Sequence, residues 1–267
     1  MSSITSKDGT KIAFDKVGSG PLVIFVNGAI SYRRAFDPTL EQLAELLGKQ
    51  FTVYNYDRRG RGASGDTTPF TKEREIEDIQ ALVEEAGGEA MLFGVSSGAA
   101  IALETAAATP AITKLFLYEI PFIVDNGRFP VSPDYVEHLN KLVADDRRDE
   151  AVEYFLTEAV GIPAEHAAGA KQDPSWPRMV AVAHTIAYDG SFVAEFMQGK
   201  PLSTDRWANV TVPVLVAGGG DSDAWMHNSA DALARVLPNA SRTTLPGQTH
   251  QVDPNVLAPV MIEFFKQ

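Results

Sequence analysis

Residues 93–104 read FGVSSGAAIALE, and this stretch decides the fold. The apolar run AMLFGV that leads into it predicts a short buried strand, and the alanine-rich run behind it predicts a helix. Gly94, Ser96 and Gly98 form the pattern G-x-S-x-G at the junction. A turn this tight leaves no room for side chains at the flanking positions, so it pushes Ser96 out at the carboxyl edge of a sheet. The alternative is that the two adjacent serines only cap the helix.

Similar apolar runs recur along the chain as LVIFV, FTVYNY, KLFLY and VPVLVA, with helical patterns between them. Strands that are buried on both faces have continuous rather than alternating apolar sequences, which is typical of a parallel sheet. KIAF, near the amino terminus and between glycine-containing turn signals, predicts an antiparallel hairpin strand. The alternation of strands and helices therefore predicts a doubly wound, mostly parallel α/β sheet.

The alternation stops between about residues 121 and 206, where no strong β-type run occurs. Helical spacing is visible there at residues 135–143, 151–159 and 179–187. We therefore predict an α/β core formed by residues 1–120 and 207–267, with a helical cap formed by residues 121–206.

Composition excludes several functional classes. The 267 residues include no cysteine, which excludes disulfides, thiol catalysis and thiolate metal sites. The net charge of -12 argues against nucleic acid and anionic membranes as partners. The polar amino terminus lacks the apolar segment of a signal peptide, and the apolar runs are too short to span a bilayer, so we expect a cytoplasmic protein. No metal-ligand spacing, phosphate loop or dinucleotide motif is present, so we expect no cofactor and a small-molecule substrate; a homodimer stays open.

The order of these features resembles the α/β-hydrolase superfamily over essentially the whole chain: hairpin, loop after LVIFV, serine turn, helical insertion and late histidine. The resemblance implies a serine hydrolase with a lid, in which Ser96 is the nucleophile. It places the general base between the final strand and the final helix, where LPGQTH supplies His250. The other histidines are His138, His166, His184 and His227.

The acid that orients the base has several candidates. The loop after VPVLVA offers Asp221 and Asp223. Counted from the start of that strand at Val212-Pro213, the usual position of the acid falls on Ser222, so each aspartate is one residue away from it. Glu119 ends the apolar run KLFLYE, and a carboxylate at the rim of a buried strand is costly unless it is paired. A second resemblance, to zearalenone-type lactonases, rests on the Ser-Ser-Gly-Ala turn and the Glu-x-Pro step that begins at Glu119. It implies that Glu119 is the acid. Asp221 stays the main alternative, followed by Asp223.

The oxyanion hole needs two backbone donors. The N–H of Ser97, one residue after the nucleophile, is the first. The resemblance places the second in the loop after LVIFV, where Ala29 is the expected donor and Gly28 permits the turn. The superfamily usually has His-Gly in this loop, whereas this chain has Asn27 before Gly28.

A small, largely apolar substrate is expected to contact five further residues, namely Phe122, Trp176, His184, Tyr188 and Trp225. We expect cleavage of an ester or lactone through an acyl-enzyme. Related alternatives are amide, thioester or carbon–carbon bond hydrolysis, and a different class is a non-catalytic ligand receptor on a hydrolase fold. An epoxide hydrolase or a haloalkane dehalogenase is disfavoured, because members of the superfamily with those activities have aspartate in place of Ser96.

Overall fold

The computed structural model describes residues 2–34 and 37–267. Within these residues one sheet contains eight strands, in the order β1-β2-β4-β3-β5-β6-β7-β8. They are β1 Ser2–Thr5, β2 Lys11–Gly18, β3 Leu22–Val26, β4 Thr52–Tyr56, β5 Ala90–Val95, β6 Ile112–Tyr118, β7 Val214–Gly219 and β8 Ala240–Leu245. β1 and β2 form the antiparallel edge, and the strands from β4 to β8 run parallel. The predicted fold class is confirmed.

Ten α-helices occur in the described part of the chain. They are α1 Thr39–Leu47, α2 Lys72–Glu85, α3 Ser97–Ala108, α4 Tyr135–Ala144, α5 Arg148–Tyr154, α6 Ala164–Ala170, α7 Trp176–Ala181, α8 Ile186–Val193, α9 Ala224–Val236 and α10 Pro254–Lys266. A π-helix follows α5 over Phe155–Val160, and short 3₁₀ turns flank α8 at Ala183–Thr185 and Ala194–Phe196.

The sheet separates two apolar clusters, as its continuous apolar strands require. On one face, Leu43 and Leu47 of α1 lie in a cluster with Met261 and Phe264 of α10. The opposite face belongs to a larger cluster that includes residues of α2, α3 and α9 as well as the helices between β6 and β7. The sheet therefore has helices on both sides, and its carboxyl edge is left for loops.

The interval between β6 and β7 contains only helical elements, from α4 to α8. This is the segment in which the strand pattern lapses, and the boundaries of the cap at residues 121 and 206 stay a prediction. No helix of the described chain has both the length and the apolar composition needed to cross a bilayer.

Candidate active site

Ser96 occupies the turn between β5 and α3. Its N–H donates to the carbonyl oxygen of Tyr118 over 2.9 Å, and its backbone has a φ of 58°. A non-glycine residue seldom adopts a positive φ, so neighbouring structure must hold this one in place. Because α3 begins at Ser97, the positive end of the helix dipole lies at the serine.

The two glycines of the turn are required by close backbone contacts. A Cβ on Gly94 would lie 2.6 Å from the Cα of Ala99, and one on Gly98 would lie 2.1 Å from the carbonyl oxygen of Val26. Neither approach leaves space for a methyl group. The prediction that this turn excludes side chains at its flanks therefore has a direct geometric basis.

Glu119 follows β6 directly, at the strand end next to Ser96. Its backbone also has a positive φ, of 53°, and its side chain is only 2% exposed. Oε1 accepts a hydrogen bond from the N–H of Gly219 over 2.8 Å, and Oε2 lies 3.4 Å from Nδ1 of His250. The carboxylate is thus buried with a partner on each oxygen.

The surroundings of Glu119 keep it ionised. Burial alone would raise the pKa of its carboxyl group, but the hydrogen bonds from His250 and from the N–H of Gly219 outweigh burial and hold that pKa below its ordinary value. A charged acceptor at this position suits a histidine that becomes positively charged during a reaction.

His250 lies in the loop between β8 and α10, and its side chain is 52% exposed. Tyr118 fixes this loop, because its hydroxyl donates to the carbonyl oxygen of the preceding residue, Thr249, over 2.6 Å. Since Nδ1 faces Glu119, Nε2 is the ring nitrogen left for other contacts. His250 and Ser96 line the same cavity.

Asp221 lies in the loop after β7 and is exposed. Its N–H donates to the carbonyl oxygen of Gln248 over 2.9 Å. The carboxylate within hydrogen-bonding distance of His250 is that of Glu119. The arrangement therefore favours Glu119 over Asp221 as the acid, in line with the sequence resemblance.

The loop after β3 lies against the serine turn. A Cβ on Gly28 would lie 3.0 Å from Cβ of Ser96, and Ala29 lines the cavity. Asn27, the departure from the usual His-Gly, is buried, and its Nδ2 donates to Oδ1 of Asn55 over 3.3 Å. The asparagine therefore anchors this loop to the carboxyl end of β4.

Backbone strain concentrates around this site. Five non-glycine residues of the described chain have positive φ: Ile30, Arg34, Ser96, Glu119 and Asp146. Two of them are the proposed nucleophile and acid, and Ile30 follows the proposed donor Ala29. For a β-branched residue such as isoleucine this conformation is a true outlier. Strain of this kind is typical of functional sites.

The cavity has a volume of about 380 Å³. Its lining is mainly apolar, with contributions from Pro121, Phe155, Ala159, Val160, Val193, Met197, Trp225 and Met226. The polar residues Ser96, His250 and Glu119 also line it, and His250 and Glu119 are in contact. Among the described residues, no group of three or more His, Cys, Asp or Glu side chains is placed to hold a metal ion.

A sequence model of the alpha/beta hydrolase family matches residues 23–260. The chain belongs to the alpha/beta hydrolase family. The resemblance to that superfamily deduced from sequence is confirmed.

Three comparisons place this hydrolase among its relatives. An alpha/beta hydrolase of Sphaerobacter thermophilus is 48% identical, with a TM-score of 0.89 over 99% of this chain and 100% of that one. The 2-(acetamidomethylene)succinate hydrolase of Mesorhizobium japonicum is 25% identical, covering 88% of this chain and 84% of its own. The enol-lactonase of Burkholderia xenovorans is 18% identical and shares the fold with a TM-score of 0.73 over all of both chains.

Of the five residues predicted to contact substrate, Trp225 lines the cavity. Phe122 and Trp176 are not among the described residues that line it, and a contact of either with substrate stays a prediction. The ring of Phe122 packs in the interior, with ring centroids 4.6 Å from Phe196 and 6.0 Å from Trp207. Trp176 is buried in the cap, where its Nε1 donates to Asp149 over 2.7 Å.

His184 and Tyr188 contact Asp66 of the core and are not among the described residues that line the cavity, so their contact with substrate also stays a prediction. The hydroxyl of Tyr188 donates to Oδ2 of Asp66 over 3.0 Å, and Nε2 of His184 lies 3.6 Å from the same oxygen. The Tyr188 ring stacks on Phe70 with centroids 3.9 Å apart. These two residues tether the cap to the core.

Two features of the site were missed by sequence reasoning. The π-helix places Phe155, Ala159 and Val160 on the cavity wall, although its sequence predicts an ordinary helix. Single π turns often occur at functional sites. The second feature is Asp189 of α8, a buried carboxylate that lines the cavity. An aspartate within a helical segment carries no local signal of such a role.

Proposed function

We propose that this α/β-hydrolase is a serine hydrolase that cleaves an ester or a lactone of a small, largely apolar substrate. The observation that carries the proposal is the buried Glu119 carboxylate, 3.4 Å from Nδ1 of His250, in a cavity that Ser96 also lines.

In the acylation step, Oγ of Ser96 attacks the carbonyl carbon while Nε2 of His250 takes its proton. Glu119 keeps the imidazole oriented and stabilises its positive charge. When the tetrahedral intermediate collapses, the bond to the leaving oxygen breaks and Nε2 returns the proton to that oxygen. In a lactone this opens the ring, and the new hydroxyl stays attached to the acyl group.

The developing oxyanion is stabilised by the N–H groups of Ala29 and Ser97. Ser97 is the first residue of α3, so the helix dipole adds to its donor strength. Gly28 leaves the space beside Ser96 that brings this loop close to the reacting carbonyl. Removing one such donor typically costs about 10²–10³ in kcat.

Water completes the cycle. His250 takes a proton from a water molecule while the water oxygen attacks the acyl carbonyl. His250 then returns that proton to Oγ of Ser96 as the acid product leaves. The exposed face of His250 gives water a route to the ring.

The cavity supports the substrate class. Its volume of about 380 Å³ suits a small molecule, and its walls are mainly apolar. The enol-lactonase of the same fold supports a lactone as one candidate. The position of the acid at the end of β6 supports the resemblance to zearalenone-type lactonases in triad layout, which concerns the arrangement of groups more than the substrate.

A fluorophosphonate probe followed by peptide mass spectrometry tests the nucleophile. We expect one adduct on Ser96, and Ser96→Ala should abolish both the adduct and ester turnover. Ser97→Ala is the matched control, since it removes the neighbouring hydroxyl but keeps the backbone donor, and it should still be labelled on Ser96. An adduct on Ser97 in the wild-type protein, with Ser96→Ala still active, would show that the wrong serine was assigned.

A panel of aryl esters, lactones, amides and thioesters tests the reaction. We expect turnover of short-chain aryl esters or lactones with an initial burst of product when deacylation is slow. Tight binding without burst or turnover on every member would favour a ligand receptor on the same fold.

A further inference from the structure

A buried charged cluster joins the cap to the core behind the proposed oxyanion hole. It consists of Arg58 and Arg61 from the turn after β4, Glu75 from α2 and Asp189 from α8. Each of these side chains is at most 4% exposed. Arg58 pairs with both oxygens of Glu75, so two guanidinium groups face two carboxylates.

Asp189 is the member that reaches the serine turn. Its Oδ1 accepts hydrogen bonds from Oγ of Ser97 over 2.7 Å and from Nη1 of Arg58 over 2.5 Å, and its Oδ2 pairs with Nη2 of Arg61. Burial would raise the pKa of the Asp189 carboxyl, but the two arginines and the Ser97 hydroxyl outweigh it and hold that pKa below its ordinary value. An ionised carboxylate therefore anchors the first residue of α3.

The same two arginines hold the loop after β3. Nη1 of Arg61 donates to the carbonyl oxygen of Gly28 over 2.7 Å, and Nη1 of Arg58 donates to that of Asn27 over 3.0 Å. The C=O of Gly28 and the N–H of Ala29 belong to one planar trans peptide unit, so they point in opposite directions. A hydrogen bond that fixes the Gly28 oxygen therefore fixes the direction of the Ala29 N–H.

We propose that Asp189 is a positioning residue that sets both proposed oxyanion donors through these contacts. It holds Ser97 by the hydroxyl, and it holds the Gly28–Ala29 peptide through Arg61. This inference rests on the proposed serine-hydrolase function. Because Asp189 belongs to α8, the oxyanion hole reaches its working geometry only when this part of the cap is docked on the core.

If the ion pairs of Asp189 were only structural, substitution of Asp189 would have a different kinetic effect. Breaking a buried ion pair destabilises the fold but has no reason to act on the transition state alone. Asp66→Asn supplies a matched control, since Asp66 also tethers α8 to the core, through the Tyr188 hydroxyl. The Asp66 carboxylate contacts Tyr188 and His184, and neither of these contacts reaches Ser97 or the loop after β3.

The experiment compares Asp189→Asn, Asp66→Asn and the wild-type protein on one aryl ester, with folding followed by thermal melting. We expect Asp189→Asn to lower kcat and kcat/KM together by about 10²-fold, the size expected when a reacting group is misplaced by about 1 Å. Its KM should stay within about twofold, and the inhibition constant of a trifluoromethyl ketone, which forms an oxyanion with the nucleophile, should rise by a similar factor to the fall in kcat. Asp66→Asn should keep kcat within about threefold of wild type, since its contacts do not reach either donor.

Wild-type-like kcat and ketone inhibition in a folded Asp189→Asn protein would overturn the inference, as would equal losses in Asp189→Asn and Asp66→Asn. If Asp189→Asn does not fold, Ser97→Ala decides, because it removes only the hydroxyl that Asp189 holds. We expect it to lower kcat by about 3–10-fold with KM unchanged, as for the loss of one supporting hydrogen bond, and an unchanged kcat would overturn the inference. Failure of the proposed function is seen separately, as a wild-type protein that forms no Ser96 adduct.

Discussion

β6 and β7 end side by side, and each is followed by a carboxylate, but the two carboxylates lie in different surroundings. Glu119 after β6 is buried, has a positive φ and contacts His250. Asp221 after β7 is exposed and belongs to a loop held by its backbone N–H. The difference favours Glu119 as the proposed acid, because the fold buries its carboxylate beside His250.

The largest effect is expected from Glu119→Gln. The variant keeps the shape of the side chain but removes the charge that stabilises the protonated imidazole, so kcat should fall by about 10²–10⁴-fold. Asp221→Asn and Asp223→Asn are the matched controls and should each cost less than about tenfold. Steady-state kinetics on the three variants decide whether the acid lies at the end of β6 or at the end of β7. A large loss of kcat in Asp221→Asn, together with a nearly normal kcat in Glu119→Gln, would place the acid after β7.

The comparison can be sharpened by adding a carboxylate at the β7 end. Ser222 lies in that loop and lines the cavity. It also stands at the position after this strand where the superfamily usually has its acid. In Glu119→Gln/Ser222→Asp we expect kcat to recover by about tenfold over Glu119→Gln, because an opposite charge near the imidazole favours its protonated form. Ser222→Asn in the same background is the uncharged control. If both double variants behave alike, the β7 end cannot serve the base in this protein.

A smaller effect is expected from Gly218→Ala. A Cβ at this position would lie 2.9 Å from Oε1 of Glu119, so the carboxylate must shift away from its partners. We expect kcat to fall by about tenfold, less than the ~10²-fold that a full 1 Å misplacement can cost. Gly220→Ala is the control, since its Cβ would approach the carbonyl oxygen of Leu245 rather than Glu119. Equal kinetics for the two alanine variants would mean that the Glu119 carboxylate tolerates displacement.

The smallest effect concerns stability and pH. The folded-state pKa of Glu119 lies below its ordinary value of 4.5, so its ionised form stabilises the fold. This contribution is fully present above about pH 4.5 and is lost as the pH falls through the lower folded value. The difference in free energy of unfolding between wild type and Glu119→Gln should therefore shrink below about pH 4.5, as measured by urea denaturation from pH 3 to 7. A difference that grows on acidification would contradict the lowered pKa.

The sequence predicts the α/β core well, because each strand and turn of the core is indicated by residues within one short stretch. The run AMLFGV and the glycines around Ser96 determine β5 and the turn, and KLFLYE points to a carboxylate that needs a partner. The cap is predicted less well. Trp176, His184 and Tyr188 lie in helical segments and Phe122 lies in the stretch between β6 and α4. The packing of the helices decides which of these side chains face the cavity.

The cluster around Asp189 shows a second limit. Arg58 and Arg61 lie in the turn after β4, and Asp189 lies more than a hundred residues further along the chain. Their contact depends on how α8 docks on the core. No spacing within either segment predicts that pairing.

The positive φ angles at Ser96 and Glu119 also bear on how far this protein could be made more heat-resistant. Such conformations cost of order 1–3 kcal/mol each, and glycine adopts them without that cost. Exchanging Ser96 for glycine is thus a change that can raise the melting temperature while it removes the proposed nucleophile, whereas glycine at position 119 would also lose the stabilising contacts of the carboxylate. A screen that selects only for melting temperature would drift toward such inactive sequences, so selection for heat resistance has to include turnover from the first round.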